Sequence, residues 1–118
     1  MDDEIRPEDV ESLLESDERP RVIDIRSPGQ FARGHIPGSE NVPFGELPDR
    51  IEEFADADRI VTVCPHGKAS VQAARLIASY EGTADARVES MVGGLEAWEG
   101  PLETDGREAG SETPDSPF

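Results

Sequence analysis

The chain has little of several residue types, and each shortage excludes a class of protein. It has one cysteine in 118 residues, so no disulfide can form within it, which fits a reducing compartment such as the cytoplasm. The longest uninterrupted apolar run, Leu76–Ala78, is far too short to cross a membrane. Residues 1–20 have neither a basic start nor an apolar stretch, so they predict no secretory signal. We therefore expect a cytoplasmic protein.

Basic residues are also scarce. The chain has 27 Asp plus Glu against 11 Lys plus Arg, which gives a net charge of −16 and a pI of about 4.3. Contacts to phosphate need clustered Lys and Arg, so this balance argues against a protein that binds nucleic acid or anionic membranes. The length suits one domain, and we expect a monomer.

Lys68 is the single lysine of the chain, against ten arginines. A very acidic composition with almost no lysine is typical of a halophilic protein. In concentrated salt the Debye length falls to about 3 Å, which screens the repulsion between the acidic groups. The alternative is an ordinary acidic protein with disordered acidic ends, since nine acids lie in residues 1–18 and five lie from Glu103 onward.

The spacing of apolar residues predicts alternating helices and strands. Helices are predicted at 7–16, 46–55 and 69–80 and in a short turn before Trp98, and strands at 21–25, 41–43, 59–63 and 87–91. The alternation predicts an α/β sandwich of three layers, with a mainly parallel sheet flanked by helices.

Three other segments carry predictions of irregular structure. Residues 1–5 are acidic and expected to be loose, and residues 26–39 are rich in proline and glycine, which predicts a structured connection without a helix or strand. From residue 103 the chain is polar with few apolar residues, so we expect a domain at 1–102 and a disordered acidic tail at 103–118.

Cys64 is the first candidate for chemistry, because it ends a predicted strand just before a predicted helix. A thiol there faces the unpaired N–H groups of the first helical turn, which favour the nucleophilic thiolate. Gly67 permits a tight turn whose N–H groups point inward, and Lys68 lies four residues after the cysteine. A buried structural cysteine is the alternative.

The acids avoid two windows of the sequence. Residues 60–80 and 25–39 contain no Asp or Glu, yet they hold Lys68 and both histidines. Buried strands and helices exclude acids in any sequence, but polar loops do not. The windows therefore predict a locally positive pocket for a small anionic substrate.

Three stretches resemble the sequence boxes of rhodanese-like domains. Residues 24–43 have Asp-x-Arg, Phe, Gly-His-Ile-Pro-Gly, Asn and Pro in the order of the first box, and residues 64–70, CPHGKAS, are similar to the active-site loop Cys-x-x-Gly-x-x-Ser. Residues 93–98, GGLEAW, resemble the closing box. The three boxes follow the family's order and together span about residues 5–100.

This resemblance implies a sulfurtransferase that holds sulfane sulfur as a Cys64 persulfide. The donor would be thiosulfate or a protein persulfide, and the acceptor a thiol or cyanide; no cofactor and no metal is implied. The residues implied to bind the substrate are Pro65, His66, Gly67, Lys68, Ala69 and Ser70. The resemblance also places Asp24 and Arg26 near the site, where we interpret them as a buried pair that braces loops.

Two departures from the family pattern bear on the donor. Pro65 has no N–H to offer the sulfur, and the loop has Lys68 where many thiosulfate sulfurtransferases have arginine. A protein persulfide donor is therefore an alternative to thiosulfate. A related phosphatase would need arginine six positions after the cysteine, where this chain has Ser70. A persulfide carrier or a non-catalytic interaction module remains the alternative function.

Overall fold

In the computed structural model of the chain, residues 3–104 are described, and they alternate between strands and helices. The strands are β1 (Glu4–Ile5), β2 (Arg21–Asp24), β3 (Glu40–Asn41), β4 (Arg59–Val63) and β5 (Arg87–Met91). The α-helices are α1 (Pro7–Leu14), α2 (Pro28–Arg33), α3 (Leu47–Arg50) and α4 (Ala69–Ala78), and short 3-10 turns lie at Phe44–Glu46, Ile51–Phe54, Glu81–Thr83 and Leu95–Ala97.

The five strands form one parallel sheet in the order β1-β5-β4-β2-β3, which confirms the predicted α/β fold with a parallel sheet. The central strand β4 is buried on both faces because helices cover the sheet on each side. Its carboxyl end therefore lies in the middle of the sheet edge, and Cys64 is the next residue. In open parallel sheets this edge is where ligands bind.

The molecule has three layers, because helices pack on both faces of the sheet. One apolar cluster lies on each face. On one face Ile60 of β4 packs with Ala73 and Ile77 of α4. On the other face Val61 packs with Val10 of α1. The alternation along β4 follows from the two-residue period of a strand, and it turns Cys64 to the α4 face. None of the helices within residues 3–104 combines the length and the apolarity needed to cross a membrane.

The prediction that residues 1–5 are loose is wrong for Glu4 and Ile5. These two residues form β1 and pair with β5, and the backbone N–H of Val92 donates to the carbonyl of Ile5. A strand of two residues has no periodicity to read in the sequence. Its pairing with the edge of a sheet formed by distant residues decides its conformation.

The prediction that residues 26–39 contain no helix is also wrong, because α2 lies within them. Ser27 and Gln30 form a capping box, in which each side chain hydrogen-bonds the backbone N–H of the other. Pro28 occupies the start of the helix, where its missing N–H has no partner to lose. The proline that suggested an interruption is in fact a helix start.

The helix predicted at 46–55 is divided into short pieces. Pro48 stands in the first turn of α3, and 3-10 turns precede and follow that helix. Three apolar residues recur at helical spacing there: Leu47 and Phe54 are fully buried, and Ile51 is half-buried against the core. After the last turn, Glu103 exchanges two backbone hydrogen bonds with His35. Most of the predicted tail, residues 105–118, lies outside the described residues.

Candidate active site

The Cys64 sulfur is surrounded by hydrogen-bond donors of the loop that follows it. The side chain is buried, with 1% of the residue exposed. The backbone N–H of Gly67 donates to Sγ at 3.0 Å, and that of Ser70 donates at 3.3 Å. The Ser70 hydroxyl oxygen lies 3.3 Å from Sγ. The loop therefore encloses the sulfur with the kind of donors that stabilise an anion.

The conformation of the loop depends on Gly67. Its φ of +86° lies in the left-handed region, which glycine adopts without the penalty that a Cβ would bring. This turn brings the Gly67 N–H back toward the sulfur three residues earlier. Ser70 lies in the first turn of α4, whose N–H groups have no partner within the helix.

Opposing effects set the pKa of the Cys64 thiol. Burial raises the pKa, since a charged sulfur loses its contact with water. The hydroxyl of Ser70 and the backbone N–H groups of Ser70, Gly67 and His66 lower it. The hydrogen bonds outweigh burial, so the pKa lies below the ordinary thiol value. A larger share of the group is then in the nucleophilic thiolate form at neutral pH.

A second turn, which we call the glycine turn (residues 93–96), hydrogen-bonds to the backbone of the cysteine loop (residues 64–70). The N–H of Leu95 donates to the carbonyl of Cys64 at 2.8 Å, and the N–H of Glu96 donates to the carbonyl of Pro65 at 3.0 Å. Gly93 and Gly94 have positive φ angles of +76° and +65°. The glycine turn was not among the predicted site residues, although its sequence matched a family box.

The remaining loop residues lie at the surface. Pro65 is half-buried, and the Lys68 and Ala69 side chains are exposed. His66 is exposed too, and its Nδ1 lies 3.2 Å from Oε1 of Glu96 on the glycine turn. This pair ties the loop to the glycine turn a second time. Glu96 also brings a carboxylate close to a segment of the sequence that has no acids of its own.

Asp24 ends the neighbouring strand β2 and Arg26 follows it, at the same edge of the sheet as Cys64. The guanidinium of Arg26 holds the Asp24 carboxylate at 2.7 Å, and its Nη2 also donates to the carbonyl of Gly34 at 2.6 Å. The Asp24 side chain is buried, at 1% exposed, and that of Arg26 is 9% exposed. Asn41 donates from its side chain to the carbonyls of Asp24 and Arg26. The group connects β2, β3 and the segment after α2.

Two buried hydroxyls beneath the cysteine loop were not predicted. Thr62 Oγ1 on β4 donates to the carbonyl of Ser70 at 2.7 Å. Ser90 Oγ on β5 lies 2.7 Å from Ser70 Oγ. Ser90 is 26 residues away from the cysteine in the chain, and only the pairing of β4 with β5 brings it beneath the loop. Across residues 3–104, no three His, Cys, Asp or Glu side chains cluster as metal ligands would.

The comparison with known proteins agrees with this fold and loop. The family model of the rhodanese-like domain matches residues 6–101. The chain belongs to the rhodanese-like domain family, which confirms the resemblance seen in its three sequence boxes.

Two relatives are similar to this chain over most of its length. "Thiosulfate sulfurtransferase GlpE" of Pseudomonas aeruginosa is 40% identical over 108 residues, which cover 89% of this chain and 93% of that protein. "Putative sulfur carrier protein YrkF" of Bacillus subtilis is 31% identical over 100 residues, which cover 85% of this chain. The chain spans only 52% of that Bacillus protein.

A solved structure from Rhodopseudomonas palustris has the same fold. It is described as "Protein of Unknown Function RPA3614, Possible Tyrosine Phosphatase". Its TM-score is 0.74 at 27% identity, and the match covers 86% of this chain and 85% of that one. Because one fold supports several chemistries, the function of this chain has to be argued from its own site.

Proposed function

We propose that this protein is a sulfurtransferase that carries sulfane sulfur as a persulfide on Cys64. The observation that carries the proposal is the set of contacts around Sγ: the N–H groups of Gly67 and Ser70 donate to it, and the Ser70 hydroxyl lies within hydrogen-bond distance. An inert buried cysteine has no need of such donors. The lowered pKa of Cys64 supports the same assignment. We place this activity in a cytoplasmic monomer.

The first half of the reaction loads the cysteine. The Cys64 thiolate attacks the outer sulfur of thiosulfate, the S–S bond of thiosulfate breaks, and sulfite leaves with the bonding electron pair. The product is a persulfide with its negative charge on the outer sulfur. N–H groups of the loop that are already oriented stabilise this anion without rearrangement during the reaction.

The second half returns the enzyme to its starting state. A nucleophile such as cyanide or a thiolate attacks the outer sulfur, and the S–S bond to Cys64 breaks. With cyanide the product is thiocyanate, and the electron pair of the broken bond restores the Cys64 thiolate. No proton, oxidant or cofactor is consumed in this cycle, and the free Cys64 thiol is the one protein group that reacts in it.

Phosphatase activity is disfavoured at this site. Such an enzyme needs an arginine to clamp the phosphate oxygens. The corresponding position here is Ser70, whose side chain is fully buried and lies against the Cys64 sulfur. Its short hydroxyl cannot replace a bidentate guanidinium.

The direct test of the proposal is sulfur loading of the purified protein. After incubation with thiosulfate and removal of the excess, we expect the intact mass to increase by one sulfur atom located on Cys64. Addition of cyanide should remove that mass and release an equivalent amount of thiocyanate. If neither thiosulfate nor a persulfide donor adds sulfur to Cys64, the sulfurtransferase proposal is wrong.

Lys68 is the cation we assign to the anionic donor, since its side chain is exposed at the start of α4. Lys68→Ala should raise the KM for thiosulfate about fivefold at low ionic strength, because an exposed charge contact is worth up to about 1 kcal/mol. The kcat should change little, and the difference should shrink as salt is added. Steady-state kinetics of thiocyanate formation measure both constants.

Lys68→Arg is the matched control for this prediction. It keeps the charge and adds a fork that suits an oxyanion, so its KM should equal or fall below that of the unmodified protein. A KM that stays the same in Lys68→Ala would remove Lys68 from the donor site.

A persulfide carrier is the second candidate function, and two observations favour it. A relative has a sulfur carrier name, and Phe44 and Val92 are exposed apolar residues that follow β3 and β5 at the same edge of the sheet as Cys64. Exposed apolar side chains near a reactive group suit contact with a partner protein. Faster loading from a protein persulfide than from thiosulfate would favour this role.

A further inference from the structure

A buried pair of serine hydroxyls lies beneath the cysteine loop, on the α4 face of the sheet. Ser70 is completely buried in the first turn of α4, and Ser90 on β5 is 1% exposed. Their neighbours on this face, such as Ala73 and Val88, are apolar. Burying a hydroxyl in such surroundings is unfavourable unless it is hydrogen-bonded. A small apolar residue at position 90 would fill this space without that requirement.

The geometry joins the two hydroxyls and the sulfur into one chain. Ser70 Oγ lies 2.7 Å from Ser90 Oγ and 3.3 Å from Sγ of Cys64. A serine hydroxyl has a single proton, so Ser70 can donate either to the sulfur or to Ser90, but not to both. The direction of the bond between the serines therefore decides whether Ser70 donates to the sulfur.

The third hydroxyl of this region, that of Thr62, donates to a backbone carbonyl and not to the two serine hydroxyls. Thr62 Oγ1 donates to the carbonyl of Ser70 at 2.7 Å, which fixes the backbone at the start of α4. Thr62 and Ser90 are paired between β4 and β5 and so point to the same face. Thr62 holds the Ser70 backbone in place, and Ser90 contacts the Ser70 side chain.

We propose that Ser90 is a positioning residue that turns the Ser70 proton toward the Cys64 thiolate. The inference rests on the proposed function, because it concerns the nucleophilic form of Cys64. When the sulfur is a thiolate, Ser90 donates to Ser70 and Ser70 donates to the sulfur. When the sulfur is protonated, its S–H donates to Ser70, whose proton turns to Ser90. Each bond of such a chain strengthens the next, most of all when it ends on an anion.

Charged groups must be considered wherever a thiol titrates. The elements that surround Cys64 have charged or titratable side chains as follows: Arg21 and Asp24 on β2, Arg59 on β4, Arg75 on α4, Arg87 and Glu89 on β5, and Arg26, His66, Lys68 and Glu96 on the adjoining loops. The contacts described for Sγ come from backbone N–H groups and a hydroxyl, not from these side chains. Replacing Ser90 leaves all of them in place, so their influence on the pKa is the same in both proteins.

The test is the pH dependence of alkylation, which reports on one site because the chain has one cysteine. Ser90→Ala should raise the pKa of Cys64, measured from the iodoacetamide rate against pH, by about half a unit. That change lowers the alkylation rate about threefold at a pH well below the pKa. Ser70→Ala should raise the pKa further, and Ser90→Thr should restore it because threonine keeps the hydroxyl. Ser79→Ala, at the exposed end of α4, should match the unmodified protein.

The double variant Ser70→Ala/Ser90→Ala separates positioning from a general structural effect. If Ser90 acts through Ser70, its replacement adds nothing once the Ser70 hydroxyl is gone, so the double variant titrates like Ser70→Ala. Independent shifts that add, or a Ser90→Ala pKa equal to that of the unmodified protein, would overturn the inference. Alkylation needs no sulfur donor, so an absence of sulfur transfer would count against the proposed function alone.

Discussion

Replacing Cys64 with serine should abolish sulfur loading and reduce turnover with thiosulfate and cyanide by about a thousandfold or more. We expect the activity to be lost because of the chemistry of the side chain, while the structure of the loop is retained. A serine Oγ can accept the hydrogen bonds that Gly67 and Ser70 now give to sulfur, so the loop is kept. A hydroxyl is not ionised near neutral pH and cannot form a persulfide. Intact mass after incubation with thiosulfate, together with thiocyanate release, measures the loss.

Thermal unfolding is the control for this variant. Because serine is slightly smaller than cysteine and suits the same donors, we expect the free energy of unfolding to change by about 1 kcal/mol or less. The loss of activity then cannot be ascribed to unfolding. Turnover in Cys64→Ser close to that of the unmodified protein would refute the assignment of Cys64 as the nucleophile.

Gly94→Ala should disrupt the site from the neighbouring turn and lower stability by about 2–4 kcal/mol. Gly94 has a φ of +65° and a ψ of −163°, a conformation that residues with a Cβ rarely adopt. A Cβ there would overlap the carbonyl oxygen of Cys64 and lie 2.6 Å from the backbone nitrogens of Gly67 and His66. These are backbone atoms of the cysteine loop. Relief of the overlap therefore has to displace the backbone N–H groups that donate to the Cys64 sulfur.

The expected result is a midpoint of thermal unfolding about 10–20 °C lower, with little sulfur loading even at temperatures where the variant stays folded. Gly29→Ala is the matched control. Gly29 lies in α2, where an added Cβ meets nothing within 4 Å, so its stability should be unchanged or higher by up to about 1 kcal/mol. A Gly94→Ala variant with unchanged unfolding and loading would show that the glycine turn does not hold the loop.

Much of the fold could be predicted where local pattern and burial agree. The β-branched run at β4 has the length and apolar character typical of a buried strand, and both β4 and β5 lie at the predicted residues. The helix at α4 begins at the predicted residue and ends at Ala78, two residues before the prediction. The alternation of these elements was enough to predict the parallel sheet.

The errors arose where distant residues or capping decided the conformation. Glu4 and Ile5 are a strand because β5 offers an edge to pair with, and the sequence near them contains no sign of it. Pro28 was interpreted as an interruption, although the capping box of Ser27 and Gln30 makes it the start of α2. At 46–55 the apolar spacing indicated which side chains face the core, but the prediction of one continuous helix was wrong.

Adaptation to concentrated salt stays a prediction. It rests on the excess of acids over bases and on the single lysine, which are properties of the composition.

The sequence by itself determined the fold class and the family, and it singled out Cys64 as the candidate nucleophile, because these depend on local pattern and on motifs with fixed spacing. It also placed Gly67 and Ser70 close to Cys64, since they are near it in the chain. Only the tertiary structure decided what lies beyond that loop. The pairing of β4 with β5 brings Ser90 beneath Ser70, and the chain's return after β5 places Gly94 against the loop. Contacts between residues so far apart in the chain depend on how the sheet assembles, and no local pattern carries that information.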